Sequence, residues 1–163
     1  MRELPENKLN PKIKNVWRIN DAIWIVIGFI VCFAPFAIVS AVDPEETWAP
    51  VVMAIVAIVF AALAVICIAV LPPIRYVRWR YQLSDGFLDI AKGIIWKKRI
   101  VVPFIRVQNT DSRQGPIMRA FGLASVTVAT AAGEHEIPGL AMGEAEILRD
   151  KAAELARIAR EDV

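Results

Sequence analysis

Residues 22–42, AIWIVIGFIVCFAPFAIVSAV, and residues 47–74, TWAPVVMAIVAIVFAALAVICIAVLPPI, contain no charged side chain, and only Asp43-Pro44-Glu45-Glu46 separates them. A bilayer hydrocarbon core about 30 Å thick is crossed by about 20 apolar helical residues. The first run meets that length. The second exceeds it by roughly two turns, so it is expected to tilt or to project into the interface. A core helix of a soluble protein keeps a polar face, and neither run has one. Both therefore read as transmembrane helices. They account for a hydrophobic content of 56%, above the soluble average, while the rest of the chain has an ordinary soluble composition.

A cleaved signal peptide is the rival for the first run, with Val39-Ser40-Ala41 as a cleavage site. The acids Glu3 and Glu6 in a long leader, the length of the apolar stretch and the second span close behind it all argue against cleavage. The connection is so short that the helices must run antiparallel side by side. Asp43 can cap the second helix, Pro44 suits a first helical position, and acids favour the positive end of the helix dipole. Ala54, Ala57, Ala61 and Ala64 recur on one face of the second helix. Small residues allow close helix approach in lipid, so this face is expected against the first helix, with a subunit interface as the alternative. Pro35 is expected to bend the first helix. Cys32 and Cys67 lie inside the apolar runs and read as small apolar residues rather than a disulfide framework.

Arg2, Lys8, Lys12, Lys14 and Arg18 precede the first span, and Arg75, Arg78 and Arg80 follow the second, whereas the turn between is purely acidic. The positive-inside rule then puts both termini in the cytoplasm of a multi-pass plasma-membrane protein. Trp17, Trp24, Trp48, Tyr76 and Trp79 fall near the two interfaces, where amphipathic rings settle, and Arg75, Arg78 and Arg80 read as snorkelling anchors beside them. The expected division is a cytoplasmic N-terminal segment (1–21), a transmembrane hairpin (22–74) and a cytoplasmic domain (75–163).

Pro72-Pro73 is expected to end the second helix, because the pattern then changes period. Val77, Trp79, Tyr81 and Leu83 alternate with Arg78, Arg80 and Gln82, as in a half-buried strand. With no Gly/Ser spacer, the domain is expected close to the bilayer. Ser84-Asp85-Gly86 signals a hairpin. Phe87–Ala91 is the next strand, Lys92-Gly93 a turn, and Ile94–Trp96 and Ile100–Phe104 flank the basic trio Lys97-Lys98-Arg99. Strands are also predicted at Ile105–Asp111, Ala124–Thr130 and, after a turn at Ala132-Gly133, His135–Ile137. Short strands at regular turns describe a small antiparallel sandwich or barrel. A final helix from about Gly143 to Arg160 presents Leu148, Ala152, Leu155 and Ala159 to it as a stripe. An α+β membrane protein results.

Between the strands the sequence becomes specific. Gly115 permits an unusual backbone angle, Pro116 starts a short helical turn, and Phe121 is expected to plug into the core before Gly122. Gln114-Gly115-Pro116 through Arg119-Ala120-Phe121-Gly122-Leu123 stand together with Leu83-Ser84-Asp85-Gly86, Arg106-Val107-Gln108-Asn109-Thr110-Asp111 and Ile137-Pro138-Gly139-Leu140. In order, spacing and preceding membrane hairpin, this resembles the bacterial PH-like domain of YdbS-type membrane proteins, over about residues 15–158. The family pattern has Ile where this chain has Val107, a mild change. The resemblance implies a pleckstrin-homology-like barrel of about seven strands capped by the C-terminal helix. It also implies a link, in some relatives, to tolerance of secreted antimicrobials beside a larger protein with similar domains. A shared fold does not carry phosphoinositide binding with it.

Candidate sites divide into three classes. Catalysis lacks its grammar: the only histidine, His135, lies between Glu134 and Glu136 on a strand, where alternation turns it away from both acids. Gly86 and Gly93 are isolated turn glycines, not a phosphate loop. An enzyme, a cofactor and a metal are therefore not expected, and a net charge of +2 gives no reason to expect nucleic acid. Membrane lipid is the second class. Lys97, Lys98 and Arg99 beside Trp96 read as a hairpin tip able to meet anionic headgroups, although a charged soluble turn gives the same pattern and the Ser84–Phe87 hairpin has no base. Protein association is the third. Arg113, Gln114, Ile117, Met118 and Arg119 form a surface segment mixing bases with apolar groups, for which a plug in the barrel end is the plainer reading. The expected function is a non-enzymatic membrane-anchored interaction or scaffold module in an envelope complex. Its partner would be a larger protein with similar domains or a second copy, and a sensor of anionic headgroups is the alternative.

Overall fold

The computed structural model describes residues 5–43, 47–84 and 86–161. It divides into two units, one formed by Trp17–Pro72 and the other by Met1–Val16 together with Pro73–Val163.

The first unit contains most of α1 (Ile13–Val42) and all of α2 (Trp48–Ala64). The helical spans are 30 and 31 residues long, with mean hydropathy 2.7 and 3.3 and neither apolar window buried by protein. The two helices meet through aromatic rings. Phe60 of α2 sits edge-on to Phe29 at 5.6 Å, and Trp48 meets Phe36 at 6.1 Å. Gly28 makes room for Phe60, since a Cβ there would lie 3.3 Å from its ring. This corrects the expected alanine seam: Ala54, Ala57 and Ala61 are exposed, and only Ala64 is half-buried. On the neighbouring face Val52, Val56 and Phe60 are half-buried, and the Phe60 ring fills the space that a row of methyls would leave. The cap is corrected too. The chain enters α2 through Thr47, so Asp43 lies before the cap position, and Pro44, Glu45 and Glu46 lie outside the described residues. Pro35 lies inside α1, which runs on through it.

Pro72-Pro73 does not end the second helix. After Ala64 the helix widens into a π-helical stretch, Val65–Val70, and continues as α3 (Leu71–Arg78), where Leu71 N–H reaches the carbonyl of Ile66. Two adjacent prolines cannot donate to the preceding turn, and the wider i→i+5 register is one way a helix absorbs such a defect. The predicted strand from Val77 is accordingly helical as far as Arg78.

The second unit holds two antiparallel three-stranded sheets. One orders β1 (Arg80–Leu83), β2 (Phe87–Lys92) and β3 (Lys98–Pro103). The other orders β4 (Val107–Arg113), β5 (Leu123–Thr130) and β6 (Gly133–Ala141). A 3-10 turn, Phe104–Arg106, joins them and drops Phe104 into the core beside Leu88, Ile90, Leu123, Val126, Ile137 and Leu140. The C-terminal helix α5 (Met142–Glu161) lies on this core through Ala145, Ala152 and Ala156, small side chains that let it approach closely. The sequence-predicted Leu148, Leu155 and Ala159 are half-buried beside them. Among the described residues the strands number six, where the resemblance implied about seven.

A further edge comes from the N-terminus. Asn7 exchanges two backbone hydrogen bonds with Tyr81 of β1, both 3.0 Å. Pro5, Leu9 and Ile13 are fully buried, and Asn10 N–H donates to Gly139 of β6 at 2.9 Å. Gly139 adopts φ +65°, and any Cβ there would overlap Ile13. Residues 5–16 therefore belong to the folded domain, correcting the separate 1–21 segment. Phe121 is corrected as well: it is half-buried at the end of the short helix α4 (Pro116–Ala120), and Phe104 is the aromatic centre of the core.

Candidate binding surface at the β2–β3 hairpin

The tip of this hairpin lies upstream of the predicted one. Gly93, at φ +111°, turns the chain where a side chain would strike the carbonyl of Trp96, so only glycine fits. Ile94–Trp96 then form an irregular loop instead of a strand, leaving Ile95 85% and Trp96 87% exposed, with Lys97 beside them. Lys98 and Arg99 belong to β3. Their register sets Lys98 opposite Lys92 and Arg99 opposite Ala91. The tip is thus apolar with bases at its root.

Arg99 is committed elsewhere. Its Nε and Nη2 grip the Asp89 carboxylate at 3.0 and 2.6 Å, and Asp89 is 3% exposed. A buried carboxylate requires such a partner, so Arg99 first serves the fold. The hydrogen bonds to Asp89 hold its guanidinium protonated even more firmly than usual.

A hollow of about 430 Å³ opens at the hairpin root. Arg78, Arg80, Lys92, Lys97, Lys98 and Arg99 line it, together with the apolar Val77 and Ala91. Arg80 is steadied by a 3.1 Å hydrogen bond from Nη1 to the carbonyl of Trp79, and Lys92 Nζ lies 5.5 Å from the centre of the Trp79 ring. The positive field reaches His135 on β6, whose pKa is lowered by burial first and then by Lys92 and Lys98.

The remaining sequence candidates go elsewhere. Trp79 is buried, and Trp17 is buried too, so neither ring is free to sit in lipid, whereas Trp24 and Trp48 are exposed. Tyr76 carries Lys14 over its ring at 5.1 Å, and Arg75 is exposed on α3. In the Arg113–Arg119 segment, Gln114 Nε2 donates to the carbonyl of Leu123 at 2.9 Å, so it braces the fold. Ile117 and Met118 are half-buried, leaving Arg113 and Arg119 exposed. None of these five lines the hollow. No group of three metal-ligating side chains occurs among the described residues. Sequence reasoning assigned Arg78 and Arg80 to topology and Lys92 to a turn. A turn at Gly93 hinted that Lys92 lies near the basic trio, but the exact register and the arrival of Arg78 and Arg80 depend on the fold.

A family model for the bacterial PH domain matches residues 22–156. A relative from Bacillus subtilis (strain 168), named transmembrane protein YdbS, is 33% identical over 163 residues, covering the whole of both chains. No solved structure matches.

Proposed function

The chain belongs to the bacterial PH domain family and is a membrane protein, and from that premise we propose that it is a non-catalytic, membrane-anchored docking module whose β2–β3 hairpin rests on an anionic bilayer surface. The observation that carries this reading is the exposure of Ile95 and Trp96 immediately before Lys97 and Lys98. Large apolar groups at a loop tip lose free energy in water and gain it at the acyl boundary, and bases behind them meet the headgroups. Basic flanks around an acidic connection favour both ends in the cytoplasm of a plasma-membrane protein. With Cys32 and Cys67 replaced by alanine, cysteines at Thr47 and Arg160 would then label from opposite sides. Labelling of Arg160 from outside would reverse the orientation.

The docking test uses the full chain in nanodiscs. An Ile95→Cys variant in the same background carries an environment-sensitive dye, quenched by nitroxide on the lipid chains. Quenching in phosphatidylglycerol discs, weakened by added salt and lost in Trp96→Ser, supports docking. No quenching in any lipid refutes it. A second reading, association with a larger protein of similar domains or with a second copy, is favoured by the exposed face of Ala54, Ala57 and Ala61 on α2. A place in an envelope complex linked to antimicrobial tolerance would follow from that association.

A further inference from the structure

The hollow at the hairpin root gathers basic residues from α3, β1, β2 and β3 around the aliphatic stems that form most of its surface. Six basic side chains line it, and none of the described residues that line it is an acid. Among the described residues, Arg99 alone of the six forms an ion pair, with Asp89 behind the wall. Lys92 and Lys98 stand directly opposite one another in the β2–β3 register. Like charges at opposed positions destabilise a sheet, and a counter-charge between them would relieve that cost.

The two walls differ in chemistry. Arg78 at the end of α3 and Arg80 at the start of β1 bring planar guanidinium forks, which match phosphate oxygens two at a time. The lysines across the hollow act as mobile point charges. The volume of about 430 Å³ falls within the usual small-ligand range of about 300–1,000 Å³. Ile74, the last residue of the apolar run, precedes Arg78 by one helical turn in α3, about 6 Å of rise. A headgroup at the membrane surface is therefore within reach along the chain.

We propose that this hollow is a binding site for a phosphate-bearing ligand with at least two negative charges, a phosphomonoester or a pyrophosphate, supplied by a lipid headgroup or by a free solute. The inference rests on the docking reading for its lipid source and on the hollow alone for its chemistry. A phosphodiester headgroup brings a single charge and leaves most of the cations unmatched. A dianionic group can take one fork from each arginine while facing the lysine pair.

Two arms separate the sources. The full chain in neutral detergent is titrated with inorganic pyrophosphate by calorimetry. In parallel, the Ile95→Cys probe is read in nanodiscs holding phosphatidic acid or phosphatidylglycerol at equal mole fraction. Pyrophosphate should bind, and each base removed should weaken it about fivefold. Lys98→Gln is the safest variant, because it also removes the repulsion with Lys92 and so should not unfold the sheet. Arg78→Gln with Arg80→Gln should weaken binding about 25-fold. Probe quenching at a lower fraction of phosphatidic acid than of phosphatidylglycerol, with that preference lost in the double variant, assigns the ligand to lipid. Pyrophosphate binding without a lipid preference assigns it to a solute. No pyrophosphate binding and no lipid preference overturns the inference, and this remains distinct from failure of docking, in which phosphatidylglycerol produces no quenching at all.

Discussion

The guanidinium of Arg18 on α1 donates from Nε to the backbone carbonyl of Ile68 at 3.2 Å. That carbonyl is special by position. In an α-helix its donor would be residue 72, and in the wider π register it would be residue 73, and both are proline. Neither register leaves the Ile68 carbonyl a backbone donor, and Arg18 supplies one from α1.

Removing that donor should therefore be costly, and restoring a backbone N–H should compensate. Hydrogen bonds from charged groups contribute about 1.5–3 kcal/mol, and Arg18→Met should destabilise the full chain in detergent by about that amount. Pro72→Ala supplies an N–H at the α position, so the Arg18→Met loss should shrink in its background. Because Arg18 makes other interactions, the double-mutant cycle is the measurement that isolates this bond. Additive effects would show that Ile68 does not depend on Arg18.

The buried N-terminal segment gives a second prediction. Leu9 and Ile13 are among the largest fully buried side chains, so Leu9→Ala should cost about 2–5 kcal/mol. Gly139→Ala should also destabilise, since its methyl would enter the space of Ile13 at a positive φ. Thermal unfolding of the full chain checks both. A shift within error of wild type for Leu9→Ala would mean the segment contributes no core.

The same segment marks the limit of what the sequence discloses. The spans were legible because an uncharged run longer than the bilayer is thick has few other meanings. β2, β3, β5 and α5 were legible from their periods and turn glycines, whereas Ile94–Trp96 is a loop, Ile105 and Arg106 lie in the 3-10 turn before β4, and β6 extends well beyond the predicted His135–Ile137. Leu9 and Ile13, by contrast, lie among lysines, asparagines and prolines with no period, and only the tertiary partners Tyr81 and Gly139 reveal their role. The alanine face misled because small residues permit close packing without requiring it, and Phe60 with Gly28 supplied a better contact. The binding surface was half legible. The basic trio was visible, but the strand register that adds Lys92, and the helical continuation that carries Arg78 to the same hollow, depend on the fold.

Phe104 and Phe121 should respond differently to truncation. Phe104 is fully buried in the turn between the sheets, whereas Phe121 is half-buried. Phe104→Ala should cost about 3–5 kcal/mol. Phe121→Ala should cost about half as much, since the hydrophobic term scales with the area removed from water. Denaturation of the two variants side by side provides the check, and an equal or larger loss at Phe121 would place the centre of the core at the α4 end.

His135 provides the pH-dependent prediction. It is half-buried on β6 opposite Val128, with Glu134 and Glu136 on the other face of its own strand and Lys92 and Lys98 acting on it from the neighbouring sheet. Burial and then the lysines lower its pKa below the ordinary 6.5. The unfolded chain therefore takes up the proton more readily than the folded one, so stability rises with pH in this window. The contribution is fully present above pH 6.5 and is lost as pH falls through 6.5 toward the folded value. Unfolding of the full chain between pH 7.5 and 5 should show this loss, and His135→Gln should flatten that part of the profile. Because this is the only histidine, its imidazole resonances can be followed without ambiguity. Lys98→Gln should move their midpoint upward, and so should pyrophosphate if it occupies the hollow, since either change removes positive potential. A midpoint at or above 6.5 in the unliganded wild type would show that the lysines do not act on His135.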